Sequence, residues 1–174
     1  CNLNEAGIEA LVVIGGDGSF RGANALYEEF DFPVVGIPGT IDNDIYGTDF
    51  TIGFDTAINT AVEAIDKIRD TADSHNLLFF VEVMGRDAGF IGLYTGIATG
   101  AEQCLIPEYH TDVDKLCQYL TNERRKNKTS GIIVVAEGDD AGSAHEVAAK
   151  VKEKLPHYDT RVTTLGHIQR GGSP

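Results

Sequence analysis

Short apolar runs rich in β-branched residues alternate along the chain with longer segments in which apolar residues recur at helical spacing. The runs at 11–14, 34–37, 78–83, 104–106, 132–136 and 161–165 predict strands. The segments at 19–30, 56–71, 90–99, 111–126 and 143–155 predict helices. The fourth helix opens on Thr111-x-x-Asp114, close to a capping box. Strand and helix in this alternation predict an α/β fold: mostly parallel sheets with helices on both faces. A turn-rich stretch gives way near Gly53 to the longest helical segment, which divides the chain into residues 1–53, 54–169 and a short return at 170–174. There is no internal repeat or Pro-rich linker.

Composition narrows the picture. The chain has 174 residues, 42% hydrophobic and 24% charged, enough to bury a core without disulfides or a structural metal. With 14 basic against 27 acidic side chains the net charge is −13, which works against general binding to nucleic acid or anionic lipid. No apolar run approaches the roughly 18 residues of a membrane helix. Three cysteines, Cys1, Cys104 and Cys117, form neither a disulfide framework nor a CxxC clamp, and a reducing, cytoplasmic compartment fits them. Met84 is the single methionine and the chain opens on Cys1, so the expectation is a fragment whose start lies upstream. Its last residues, Arg170 to Pro174, read as a loop leading into a further element.

In open α/β sheets ligands bind beyond the carboxyl ends of the strands, so the residues that follow each strand matter most. After the first comes Gly15-Gly16-Asp17-Gly18-Ser19. Such glycines let backbone N–H groups approach a phosphate at a helix start. Asp17 would repel that phosphate unless a cation lay between, which points to Mg²⁺; an ordinary strand-to-helix turn is the alternative. After the second strand comes Pro38-Gly39-Thr40-Ile41-Asp42-Asn43-Asp44. If extended, this loop turns Asp42 and Asp44 to one side, where one could take a proton from a hydroxyl. An Asx turn satisfying its own backbone is the competing reading. Arg86, Arg161, His167 and Arg170 stand among glycines where a sheet would gather them on one edge, and guanidinium forks match phosphate oxygens. The basic run 124–128 reads as a solvated helix end. His75, His110, His145 and His157 read as surface or turn residues, and Cys104 and Cys117 as core or helix-face residues.

GGDGS at 15–19, PGTIDND at 38–44, VEVMGR at 81–86, AEG at 136–138 and LGHIQRGGSP at 165–174 resemble, in order, the 6-phosphofructokinase family. The resemblance implies a phosphofructokinase-like fold of two lobes, with 1–53 ending the nucleotide lobe and 54–169 forming most of the substrate lobe. It implies transfer of a phosphoryl group from ATP, with Mg²⁺, to fructose 6-phosphate. Asp42 then resembles the general base, with Thr40 and Asp44 as its neighbours and Arg86 placed to stabilise the transferred group. Gly16, Asp17, Gly18, Ser19 and Gly22 match nucleotide-loop positions, Asp17 being the metal-associated one. Met84, Gly85, Arg86, Glu137, His167 and Arg170 match sugar-phosphate contacts. Arg161 matches an arginine that reaches a neighbouring subunit, so a homotetramer with shared sites is implied.

The resemblance also bears on donor and regulation. Pyrophosphate-using relatives carry Asp at the position of Gly18 and Lys at that of Gly39, so the two glycines point to ATP. Arg69, Gly100, Glu102, Lys126 and Lys128 match positions lining a site for the effectors ADP or phosphoenolpyruvate. Leu77 stands where many members have an arginine that binds substrate phosphate across the subunit interface. Restoring it is expected to lower the substrate KM.

Overall fold

A computed structural model describes residues 2–125 and 130–173. The elements run α1 (Asn2–Glu5), β1 (Leu11–Gly15), α2 (Asp17–Phe30), β2 (Val34–Pro38), α3 (Phe54–His75), β3 (Leu77–Val83), α4 (Phe90–Thr99), β4 (Gln103–Leu105), α5 (Val113–Arg125), β5 (Gly131–Ala136), α6 (Ala144–Lys154), β6 (Asp159–Thr164) and a 3₁₀ turn, Gly166–Arg170. Every strand predicted from the sequence is present within two residues of its expected limits. The short α1 and the 3₁₀ turn are additions, and α3 runs four residues past its expected end.

The helix limits have local causes. One face of α3 buries Phe54, Ala57, Ala61, Ile65 and Ala72, a helical period that carries it past its polar last turn. It stops at Asn76, in the left-handed region at φ 53°, whose N–H returns to the Ala72 carbonyl. Ser143 and Glu146 form a reciprocal capping box at the start of α6. For α5 the expected cap is displaced by one residue. Asp112 accepts the N–H groups of Asp114 and Lys115 at 2.9 and 3.1 Å, while Thr111 is engaged elsewhere.

All strand ladders among the described residues are parallel. β1 and β2 form one sheet; β4, β5, β3 and β6, in that order, form the second. In the second sheet alternate side chains feed two cores. Leu78, Phe80, Ile133 and Val135 pack with Leu116, Leu120, Val147 and Val151 of α5 and α6. Val81, Val83, Ile132 and Val134 pack with Phe54, Ala61, Ile65 and Ile91 of α3 and α4. Helices therefore cover both faces, which explains why β3 and β5 read as continuous apolar runs. The first sheet is covered by α2, with the Phe20 ring seated over Gly36. Val12 and Ile14 on that sheet remain 62% and 67% exposed. No described helix is long and apolar enough to cross a membrane.

Candidate active site

The carboxyl ends of β1, β2 and β3 open onto one cavity of about 550 Å³. Gly16, Asp17, Gly18 and Ser19 line it from the start of α2. Gly39, Thr40, Ile41, Asp42 and Asp44 line it from the loop after β2. Met84 and Arg86 come from the loop after β3, and Arg170 from the end of the 3₁₀ turn. Ile52 and Gly53, which sequence reasoning passed over, complete the wall just before α3.

α2 begins without a side-chain cap at Gly16, so the unpaired N–H groups of its first turn open beside the cavity. Asp17 pairs with Arg21 at 2.9 Å, both side chains largely exposed, and this ion pair had not been expected. Gly22, one turn further on, does not line the cavity.

The loop after β2 is bent, not extended. Asn43 takes a left-handed conformation at φ 54°. Its Oδ1 accepts the Thr51 N–H at 2.8 Å and its Nδ2 donates to the Asp49 carbonyl at 3.1 Å. Thr51 Oγ1 donates to the Thr40 carbonyl at 2.7 Å, and Thr40 Oγ1 accepts the Asp42 N–H at 3.2 Å. Asn43 thus satisfies the turn, and Asp42 and Asp44 on either side of it both reach the cavity. Asp42 is 9% exposed. Burial, and then the nearby Asp44 charge, push its carboxyl above the usual carboxylate range, against the opposing pull of Arg86.

The loop after β3 is held in a strained shape. Gly85 has φ 147° and a Cβ there would stand 2.5 Å from the Ala88 carbonyl oxygen, so glycine is required. Arg86 is left-handed at φ 53°. Glu137 Oε1 accepts the N–H groups of Gly85 and Arg86 at 3.3 and 2.7 Å. Gln169 Oε1 accepts the N–H of Met84 at 2.8 Å. Gly85 and Glu137, expected beside a ligand, support the cavity from behind without lining it. Gly138 lets the loop after β5 approach so closely that a Cβ would lie 2.1 Å from the Arg86 carbonyl oxygen.

Further contacts join neighbouring loops. Glu108 accepts the Gly89 N–H at 2.7 Å. Asp139 accepts the Thr111 hydroxyl at 2.8 Å, while Asp140 accepts the Thr111 N–H at 2.9 Å and pairs with His110. His110 is thus an exposed ion-pair partner between loops.

The expected gathering of four basic side chains is half realised. Arg86 and Arg170 share the cavity; exposed His167 lies on the 3₁₀ turn outside it. Arg161 stands early in β6, level with Phe79, and pairs with Asp159. It therefore lies towards the amino-terminal edge of the sheet, away from the cavity, as expected of a residue that opens the predicted strand at 161–165.

The family model for phosphofructokinase matches residues 1–174. The chain belongs to the phosphofructokinase family. It is 60% identical over 173 residues to "ATP-dependent 6-phosphofructokinase 2" of Bacteroides thetaiotaomicron, covering 99% of this chain and 53% of that protein. It is also 60% identical over 172 residues to "ATP-dependent 6-phosphofructokinase 1" of Thermus thermophilus, again covering 99% and 53%. The Pichia pastoris phosphofructokinase crystal structure in the T-state superimposes with a TM-score of 0.89 at 39% identity, over 99% of this chain and 21% of that one. The chain spans about half the length of the curated relatives it matches.

Within this phosphofructokinase fold the effector candidates Arg69, Gly100 and Glu102 lie at the amino-terminal edge of the four-stranded sheet, opposite the cavity. Arg69 donates to the Thr99 carbonyl, next to Gly100, which caps α4 at φ 63°. The Glu102 N–H donates to the Ile132 carbonyl at 2.8 Å, just before β4. Three of the five candidates are thus brought together, while Lys126 and Lys128 lie outside the described residues. Cys104 is half-buried and Cys117 buried, as expected, and burial pushes both thiols up.

Proposed function

We propose that this chain, within its full-length protein, carries the acceptor site and part of the donor site of an ATP-dependent 6-phosphofructokinase. The reaction moves the terminal phosphoryl of ATP to the 1-hydroxyl of fructose 6-phosphate, giving fructose 1,6-bisphosphate at the committing step of glycolysis, in the cytoplasm. The observation that carries this reading is the buried Asp42, which shares one cavity with Arg86, Arg170 and the open start of α2. Asp42 takes the proton of the attacking hydroxyl, and the burial that raises its pKa makes the carboxylate a stronger base. Thr40 fixes its backbone and Asp44 shares the wall. Arg86 faces the transferred group, where preorganised positive charge favours the transition state. Met84, Gly85, Arg86, Glu137, His167 and Arg170 bind or support the sugar phosphate, and Gly16, Gly18, Ser19 and Gly22 the nucleotide.

The donor assignment rests on the names of the relatives and on space. A Cβ at Gly18 would meet nothing within 4 Å, so the glycine leaves room beside the helix start, where a nucleotide phosphate would pass. A Cβ at Gly39 would meet the Ile14 side chain at 3.0 Å, a close contact that glycine avoids. Mg²⁺ fits this cavity in one respect. It is held through one or two carboxylates together with substrate phosphates, and Asp17 sits beside an uncapped helix start. Among the described residues no group of three or more His, Cys, Asp or Glu side chains could hold a metal alone. Bound there, Mg²⁺ would neutralise phosphate charge.

The reading includes a nucleotide lobe ending at residue 53, a substrate lobe at 54–169 and a return at 170–174. It also includes a homotetramer in which Arg161 reaches the neighbouring subunit's sugar phosphate, and an ADP or phosphoenolpyruvate site around Arg69, Gly100, Glu102, Lys126 and Lys128.

The test is the initial rate of fructose 1,6-bisphosphate formation by the full-length protein with ATP or pyrophosphate, for the parent and Asp42→Ala. Activity with ATP alone, reduced about 10²–10⁴-fold in kcat by the substitution, is the expected result. Turnover with pyrophosphate overturns the donor assignment, and near-parental kcat in Asp42→Ala removes Asp42 from its role. No turnover with either donor overturns the kinase reading and moves a sugar-phosphate or nucleotide sensor on the same fold to the front.

A further inference from the structure

We infer that Gln169 is a positioning residue that sets the spacing of the two cavity guanidiniums, Arg86 and Arg170; this rests on the sugar-phosphate reading of the cavity given above. Gln169 is 0% exposed and ranks among the largest fully buried side chains of the chain. Its orientation is settled by chemistry. The Met84 N–H needs an acceptor, so Oε1 faces it at 2.8 Å and Nε2 points the other way. That Nε2 is buried with no hydrogen-bond partner in the described structure. An amide half satisfied and wholly buried is a poor way to fill space, since a methionine of similar length would fill it without an unpaired donor. What the glutamine contributes is the acceptor.

The place of that acceptor matters. Gln169 immediately precedes Arg170, and Met84 stands two residues before Arg86. One hydrogen bond therefore joins the turn bearing one guanidinium to the loop bearing the other. The far sides of both segments are fixed independently. Glu137 holds the Arg86 N–H at 2.7 Å, and Thr60 Oγ1 donates to the Gly171 carbonyl at 3.1 Å. Gly85 and Arg86 both have positive φ, a shape that persists only where surrounding bonds impose it. Removing the Gln169 acceptor leaves the Met84 N–H unpaired and the strained loop tethered at one end. The span between Arg86 and Arg170 then widens or fluctuates. Two guanidiniums that grip one phosphorylated sugar lose affinity when their spacing is no longer preorganised.

The test compares Gln169→Met, which keeps length and loses the acceptor, with Gln169→Glu, which keeps the acceptor, in the full-length protein. Gln169→Met is expected to speed hydrogen exchange of the Met84 amide at least tenfold and to raise the KM for fructose 6-phosphate about tenfold, with the KM for ATP within twofold. Gln169→Glu is expected to bring both back to within threefold of the parent. Should Gln169→Met fail to fold, Gln169→Asn, which draws the carbonyl back by one methylene, is read in its place. Unchanged exchange at Met84 overturns the inference whatever the protein catalyses. Faster exchange with unchanged sugar-phosphate affinity also overturns it, because the tether would then be structural only. A parent with no turnover at all fails the kinase reading instead. Affinity is in that case measured calorimetrically with inorganic phosphate, where a tenfold loss in Gln169→Met upholds the positioning role and no loss ends it.

Discussion

The Glu137 carboxylate accepts the Arg86 backbone N–H at 2.7 Å, which ties the loop after β5 to a left-handed arginine at the cavity wall. The same Oε1 also takes the Gly85 N–H, so any sugar hydroxyl meeting Glu137 would have to use the other oxygen. A charged hydrogen bond of this kind is worth about 1.5–3 kcal/mol. Glu137→Ala is therefore expected to lower kcat/KM for fructose 6-phosphate by roughly 10–100-fold. Glu137→Gln retains an acceptor at Oε1 and should lose no more than about a tenth of that effect. Steady-state kinetics of the two variants decides; equal losses would mean that the negative charge matters and the backbone bond does not.

Gly138 is the other side of that junction. A Cβ there would be 2.1 Å from the Arg86 carbonyl oxygen, a backbone atom that cannot rotate away. Gly138→Ala must push the loops apart and should destabilise the fold by about 1–3 kcal/mol, with a fall in kcat/KM as Arg86 moves. Denaturant unfolding alongside kinetics checks both. Parental stability with parental activity would show that the two loops separate without consequence.

What the sequence made legible follows from what each signal records. β3 and β5 could be read because burial on both faces leaves continuous apolar runs. The cavity loops could be read because glycine beside a charged residue at a strand end has few other uses. The polarity of the loop after β2 was equally compatible with an Asx turn and with catalysis; the structure shows the turn, made by Asn43, and places Asp42 and Asp44 on the cavity wall. Gln169 could not be singled out. It is polar, and its burial arises only where the 3₁₀ turn docks on α3 and β3, a tertiary relationship that no local pattern carries. The α5 cap was misplaced for a similar reason. Thr111 has suitable spacing, but Asp139 and Asp140 engage it from 28 and 29 residues away, leaving the cap to Asp112. Arg161 was grouped with the cavity residues although it opens its own predicted strand, which places it at the opposite edge of the sheet.

Leu77 opens β3, 8% exposed and level with Asp159, at the end of the strand remote from the cavity. No side chain at this position reaches the cavity of its own chain. Leu77→Arg should therefore lower Tm, since it replaces a buried apolar contact. In the full-length oligomer it should lower the KM for fructose 6-phosphate by roughly one to two orders of magnitude, the value of a charged hydrogen bond to phosphate. Thermal melts and kinetics are measured together. A lower Tm with unchanged KM would mean that the position serves the sheet alone.

Asp42 links stability to catalysis through one proton. Burial first, then Asp44, raise its folded-state pKa, so the folded chain binds that proton more tightly than the unfolded chain does. The stability this group contributes is full below its ordinary unfolded pKa and is lost as pH rises through the raised folded value. Asp42→Asn, neutral at every pH, escapes that loss. Its Tm should match the parent's at acid pH and exceed it by a margin that opens as pH rises to neutrality. Its kcat should fall about 10²–10⁴-fold, because an amide cannot accept the hydroxyl proton. Parental kcat should itself decline on the acid side, at a pH above the usual carboxylate range, as Asp42 becomes protonated. Thermal melts and kcat for both proteins across pH 4–8, on the order of one point per half unit, test the linkage. A variant less stable than the parent at neutral pH would show that Asp42 is held by favourable bonds and not by burial. Its assignment as the base would then rest on kinetics alone.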